Sequence, residues 1–152
     1  MSYPKYWPAV VAIAVASLVS GCVPYPVYKT MQPDAHATVL DENSHPLADA
    51  RVVLISSTFP YGREQFRNET RSAADGGATF EALREWRAES MVIHGSQVYF
   101  WNWCVEKAGY ETYMTLDRDA AYFKDKPQIT LRPGESHSCN NWPDRQASPA
   151  PR

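Results

Sequence analysis

The chain has 152 residues, with 15 Lys and Arg against 17 Asp and Glu and three cysteines. Its 44% hydrophobic content suits one small packed core, and its length argues against several domains. The near-neutral balance, a net −2 without any basic cluster, argues against a nucleic-acid partner.

Lys5 is the only charge before an apolar run from Trp7 to Val19. That run falls short of the roughly 18 apolar residues a membrane span needs. A basic residue, a short apolar stretch and then small residues have the proportions of a secretory signal. The stretch Leu18-Val19-Ser20-Gly21-Cys22 resembles a bacterial lipobox, whose cysteine thiol takes a diacylglyceryl group and becomes the mature N-terminus. The resemblance implies a signal peptide over residues 1–21, lipid attachment at Cys22, and a protein anchored to a membrane without spanning it. Several acyl chains on one residue anchor durably where a single chain binds marginally. The alternative is an ordinary signal peptide that ends beside a cysteine. In the lipoprotein class the residue after the cysteine influences sorting. Val23, where aspartate would imply inner-membrane retention, implies the outer membrane, facing the periplasm of a double-membrane host. With Lys5 gone from the 15 basic residues, 14 face 17 acidic ones, a net −3 for the mature chain.

Residues 22–34 hold three prolines and read as an extended tether. The stretch from residue 35 to 133 is then one domain of short alternating runs separated by turn residues, which is a β pattern. Strands are expected at 37–41 (ATVLD) and 50–58 (ARVVLISST), with a polar turn at Asn43-Ser44-His45-Pro46 between them. Asp75-Gly76-Gly77 is a tight turn whose glycines can take positive φ, and it leads into a strand at 78–81. Residues 85–93 (EWRAESMVI) fit a helical turn or a strand opening a hairpin across His94-Gly95-Ser96, and we favour the strand. The strongest strand is 98–107 (VYFWNWCVEK); Ala108-Gly109 turns it into 110–116, and 128–131 closes the domain. About seven strands at this spacing argue for a β-sandwich. Residues 134–152 form a polar tail, disordered over the closing QASPAPR.

Val39-Leu40-Asp41 followed by Pro46-Leu47-Ala48-Asp49-Ala50-Arg51-Val52-Val53-Leu54 resembles the opening of carboxypeptidase regulatory-like domains. Ala74-Asp75-Gly76-Gly77-Ala78-Thr79-Phe80 is similar to that family's Thr-Asp-x-x-Gly-x-Phe turn, and Gly109-Tyr110 to its Gly-Tyr corner. The sequence departs from the family at Ala74 (for threonine), at Ala78 (for glycine) and in a long insert around 85–95. The resemblance implies an all-β, transthyretin-like Greek-key sandwich over about 35–133. Such domains are mostly non-catalytic modules.

The residues themselves offer no catalytic constellation. Histidines 36, 45, 94 and 137 are scattered, without the spacing that sets two ligands and a base on one helix face. The Tyr-Arg-Gly-Ser tail of transthyretin-like hydrolases is missing, as is a Gly-x-Ser-x-Gly elbow. No acidic pair has glycosidase spacing. No cofactor or metal is called for. Two non-catalytic readings remain. One is an envelope structural or interaction module with an envelope-protein partner. The other is a glycan-binding module using exposed aromatic residues. The stretch 59–66 (FPYGREQF) reads as an aromatic, mixed-charge loop, so Phe59, Tyr61, Arg63 and Phe66 are candidate binding residues. Equally, its rings can tuck under the sandwich edge.

Once Cys22 is acylated, Cys104 and Cys139 remain, and pairing is the default in an oxidising compartment. Two free thiols, or a bond to a partner protein, are the alternatives. Alternation along 98–107 puts Tyr99, Trp101, Trp103 and Val105 on an inward face and Val98, Phe100, Asn102 and Cys104 on the other. A Cys104–Cys139 bond would draw the tail across that second face, with Trp142 near Phe100. Trp101 and Trp103 are then core residues rather than an open sugar platform.

Overall fold

A computed structural model of the chain describes residues 24–59, 64–90 and 97–141. The expected signal peptide and Cys22, the loop residues Tyr61 and Arg63, the turn at His94-Gly95-Ser96, and Trp142 lie outside them. The chain divides into two compact units, Met1–Lys29 with Trp86–Ser96 and Thr30–Glu85 with Gln97–Arg152.

The described residues are all-β, in nine strands. They are β1 (Pro24–Gln32), β2 (Ala35–Leu40), β3 (Arg51–Phe59), β4 (Glu64–Arg71), β5 (Gly77–Phe80), β6 (Leu83–Ser90), β7 (Val98–Glu106), β8 (Tyr113–Met114) and β9 (Gln128–Thr130). A three-stranded sheet in the order β5-β2-β9 faces a four-stranded sheet in the order β4-β3-β7-β8, and β1 pairs with β6 in a two-stranded ribbon. The β2–β9 pair is parallel, while β2–β5, β3–β4, β3–β7 and β7–β8 are antiparallel.

Two strands stand where none was expected. Pro24–Gln32, within the stretch read as a tether, is β1; it is extended, as its prolines favour, but hydrogen-bonded to β6. Glu64–Arg71 is β4, so Phe66 sits in a strand and not in the binding loop assigned to it. Its sequence, EQFRNETR, has no apolar alternation because β4 is an edge strand, with one charge pair to β3 (Arg51–Glu69) and one within itself (Arg67–Glu64). The ambiguous segment is strand β6 as far as Ser90.

The core lies between the two larger sheets and follows the period of two. Ala35, Ala37 and Val39 of β2, Ala78 and Phe80 of β5, and Ile129 of β9 meet Val52 and Leu54 of β3 and Trp103 and Val105 of β7. β3 and β7 pair antiparallel along their whole length, from Arg51 opposite Glu106 to Phe59 opposite Val98. Trp103 stacks on Phe123 at 5.7 Å and meets Phe80 edge-on at 5.6 Å, and its indole N–H donates to the Lys124 carbonyl at 3.0 Å. Trp101, half-buried, donates to the Met31 carbonyl at 2.8 Å. That bond fixes the end of β1, as does buried Gln32, which donates to the Glu81 carbonyl at 2.8 Å.

Turn chemistry accounts for two glycines. Gly76 has φ 78° and its absent Cβ would sit 2.4 Å from the Val39 carbonyl oxygen, so no other residue fits without moving backbone. Gly109, φ 84°, has open space around it and is needed for its dihedral alone. Gly77 does not take positive φ, because the turn needs only one such residue. In the preceding turn, Asp41 Oδ1 accepts the N–H groups of Asn43 and His45, each at 2.8 Å. The bond from His45, above all, holds the Asp41 carboxyl below its ordinary pKa.

Trp103→Ala should lower the free energy of unfolding by roughly 3–5 kcal/mol in urea melts, as large-to-small core changes do. Trp101→Ala, at a half-buried site, should cost less. Asp41 carries a depressed pKa in the fold. Its contribution is therefore complete above the unfolded value of 3.8 and is lost as pH falls through the folded one. Asp41→Asn should flatten the acid limb of the stability profile measured from pH 5 downward.

Candidate functional site

The outer face of the four-stranded sheet is where the most chemistry collects. Strand alternation leaves Val53 and Ile55 of β3 and Cys104 of β7 on that face, and they would be bare apolar surface on an isolated sheet. The chain returns over them. Cys104 and Cys139 form a disulfide with Cα atoms 5.9 Å apart, and both are fully buried together with Val53 and Ile55. The expected pairing of Cys104 with Cys139 is therefore present.

A charged network sets the tail down beside the disulfide. Glu106 accepts the Cys139 N–H with one oxygen and Arg51 Nη1, at 2.9 Å, with the other. Arg51 also donates through Nε to Glu69 at 3.0 Å and through Nη2 to Asn140 Oδ1 at 2.9 Å. Arg67 donates to the Cys139 carbonyl at 2.9 Å while its Nε holds Glu64 at 2.6 Å. The guanidinium pKa values rise, Arg51 through its bond to Glu106 and then Glu69, and Arg67 through Glu64, so both stay charged throughout. Earlier in the tail, Thr112 Oγ1 accepts the His137 N–H at 2.8 Å and donates to its carbonyl at 2.6 Å.

Two open clefts border this region. One, about 410 Å³, is lined by Asp49, Arg51, Arg71, Glu106, Lys107 and Ser136. Each of its cations already meets a protein acceptor. Arg71 reaches Asp49 at 2.8 Å, Lys107 the Ala48 carbonyl at 2.7 Å, and Arg51 the network above. The other, about 470 Å³, is lined by Glu111, Thr112, Tyr113, Thr130 and Arg132. Desolvation, and then the charge of Asp117, raises the Tyr113 phenol's pKa and keeps it neutral. Among the described residues, no three His, Cys, Asp or Glu side chains gather to hold a metal ion. Neither cleft brings a nucleophile to a base.

Of the four candidate binding residues the structure describes two. Phe59 is 57% exposed at the end of β3, Phe66 is half-buried in β4, and Tyr61 and Arg63 lie outside the described residues. Trp103 is buried and Trp101 half-buried, with both indole N–H groups bonded internally. They make no pair of coplanar, solvent-facing rings. The exposed aromatic pair is elsewhere. In the ribbon, Trp86 is 71% exposed and Tyr28 56%, with ring centroids 5.3 Å apart and planes at 48°. Sequence reading missed it because Tyr28 stood in the supposed tether. A lone tryptophan among charges, in LREWRAES, was the available signal.

Neither a protein-family model nor a curated protein matches the chain. Among solved structures, the chain is similar to the crystal structure of 3-chlorocatechol 1,2-dioxygenase from Rhodococcus opacus 1CP. The match has 15% identity and a TM-score of 0.42, and covers 86% of this chain and 83% of that one. A likeness at that level carries no activity across.

Reducing the disulfide, or replacing it by the pair Cys104→Ala and Cys139→Ala, should cost about 4 kcal/mol, the lost chain entropy of a loop this long. Limited proteolysis should then cut first between Gly134 and Asn141, a region the oxidised protein protects.

Proposed function

We propose that this chain is a bacterial envelope lipoprotein, anchored through Cys22 in the outer membrane and facing the periplasm. Its carboxypeptidase regulatory-like sandwich acts there as a non-catalytic structural or protein-interaction module. The observation that carries this reading is how the three cysteines divide. Cys104 and Cys139 are joined, which suits an oxidising compartment. That leaves Cys22 alone, at the end of the small-residue stretch behind the apolar run. Among the described residues no helix is long and apolar enough to cross a membrane, so attachment on this reading falls to the lipid.

Support for a non-catalytic role comes from the side chains of the clefts, whose charged groups are committed to one another and to the tail. The domain resemblance is supported at the level of architecture, with a sandwich and left-handed Gly76 and Gly109 at the two resembling turns. A partner among envelope proteins is the corresponding proposal. Glycan binding by the aromatic strand is the weaker reading, given the internal bonds of Trp101 and Trp103.

Cys22→Ala should release the mature domain from membranes or leave an uncleaved precursor. Membrane fractionation and the intact mass check it. A variant that stays processed and membrane-bound overturns the anchor.

A further inference from the structure

We propose that the Tyr28–Trp86 face of the β1–β6 ribbon is a membrane-interfacial foot, seated in the headgroup layer of the bilayer that holds the Cys22 lipid. The inference rests on the lipid anchor proposed above and adds to it a second, non-covalent contact. Strand β1 begins at Pro24, two residues past Cys22. Extended chain advances about 3.3 Å per residue, so Tyr28 lies no more than roughly 20 Å of chain from the acylated cysteine. The ribbon therefore begins at the membrane surface and not beyond a long tether.

Its composition by face fits that place. Accessibility alternates over Pro26–Lys29 and Trp86–Glu89. Pro26, Tyr28, Trp86 and Ala88 are exposed, while Val27, Lys29, Arg87 and Glu89 are half-buried. Within these residues the charges sit on the second face, where Lys29 pairs with Glu89. Over these eight residues the exposed face is uncharged and presents an indole and a phenol, each an apolar ring with one polar tip, with exposed Arg84 two residues before Trp86 at its border. These are the two side chains enriched at membrane–water interfaces, where the ring meets acyl chain and the tip meets water. A foot of this kind is held by ring burial and not by cationic attraction, so it takes zwitterionic lipid and is insensitive to salt. The 48° tilt between the rings departs from the flat platform on which a sugar stacks, which disfavours a glycan at the same face.

The test reconstitutes the mature lipoprotein into phosphatidylcholine vesicles with and without brominated acyl chains, which quench tryptophan on contact. The exposed Trp86 tolerates Trp86→Phe, so the wild-type minus variant emission isolates Trp86 from Trp101, Trp103 and Trp142. The expected result is a blue-shifted Trp86 difference spectrum that brominated lipid quenches, unchanged at high salt, with the quenching diminished by Tyr28→Ser. The N-terminal peptide mass is read from the same sample. Acyl chains present with an unquenched Trp86 overturn the foot alone. An N-terminal peptide without acyl chains overturns the anchor and the foot with it. Trp86-dependent sedimentation with purified peptidoglycan, together with an unquenched Trp86 in vesicles, would reassign the face to a glycan and overturn the proposal.

Discussion

Everything in the larger unit depends on covering β7 on both faces. From Tyr99 to Val105 the strand is buried at every position except half-buried Trp101, although its immediate neighbours in the sheet cover only its edges. On one face the opposing sheet provides Phe80, Val39 and Ile129 against Trp103 and Val105. On the other, Val53, Ile55 and Cys104 are sealed by Cys139. A domain this short buries a smaller share of its surface than a larger one does, so an uncovered apolar face on its central strands is costly. The disulfide and the Glu106–Arg51–Arg67 network are the answer to that constraint. A covalent bond holds one point of the tail, and charge-assisted bonds to its backbone set the direction in which it leaves.

The same constraint explains why the polar groups around the tail are structural. Glu106 divides its two oxygens between a backbone N–H and a guanidinium, and Arg51 spends its donors on Glu106, Glu69 and Asn140. The Arg51 and Arg67 guanidiniums so engaged keep their charge, and breaking these bonds would unseat the tail. Asn102, buried beneath, is likewise satisfied, accepting from Thr115 Oγ1 at 3.0 Å and from the Asp117 N–H at 2.6 Å. Ser56 and Thr58 are the exceptions in β3, fully buried hydroxyls without a protein partner among the described residues. They lie opposite Trp101 and Tyr99 in the register, near the end of the sheet where β4 shifts register between Ser56 and Ser57.

How much of this was legible in the residues varied with how strongly burial dictates them. The strand at 98–106 was legible because only a doubly covered strand has so little polar surface, and the Cys104–Cys139 pairing followed from parity and compartment. Gly76 was legible because the turn leaves no room for a Cβ. β4 was not, since an edge strand stabilised by Arg51–Glu69 and Arg67–Glu64 pairs needs no apolar period and reads as loop. β1 was hidden by Pro24 and Pro26. Proline suits an extended tether and an edge strand equally, because neither requires its N–H, and only the pairing with β6 separates them.

Placing β1 in a ribbon changes what the N-terminal segment can do. A free tether would decouple the domain from its anchor, leaving orientation to chance. Pairing with β6 instead places these residues in a strand that starts two residues past Cys22, with Tyr28 and Trp86 side by side in the ribbon. On the proposal that Cys22 is acylated, the lipid would hold the start of the ribbon at the membrane surface. Proximity would make the proposed ring contact effective even with a small intrinsic affinity, because an acylated Cys22 would hold the rings at a high local concentration of membrane. The aromatic residues that looked most functional in the sequence, at Trp101 and Trp103, are consumed by the core. The exposed Tyr28–Trp86 pair includes a residue six positions from Cys22, the proposed site of acylation.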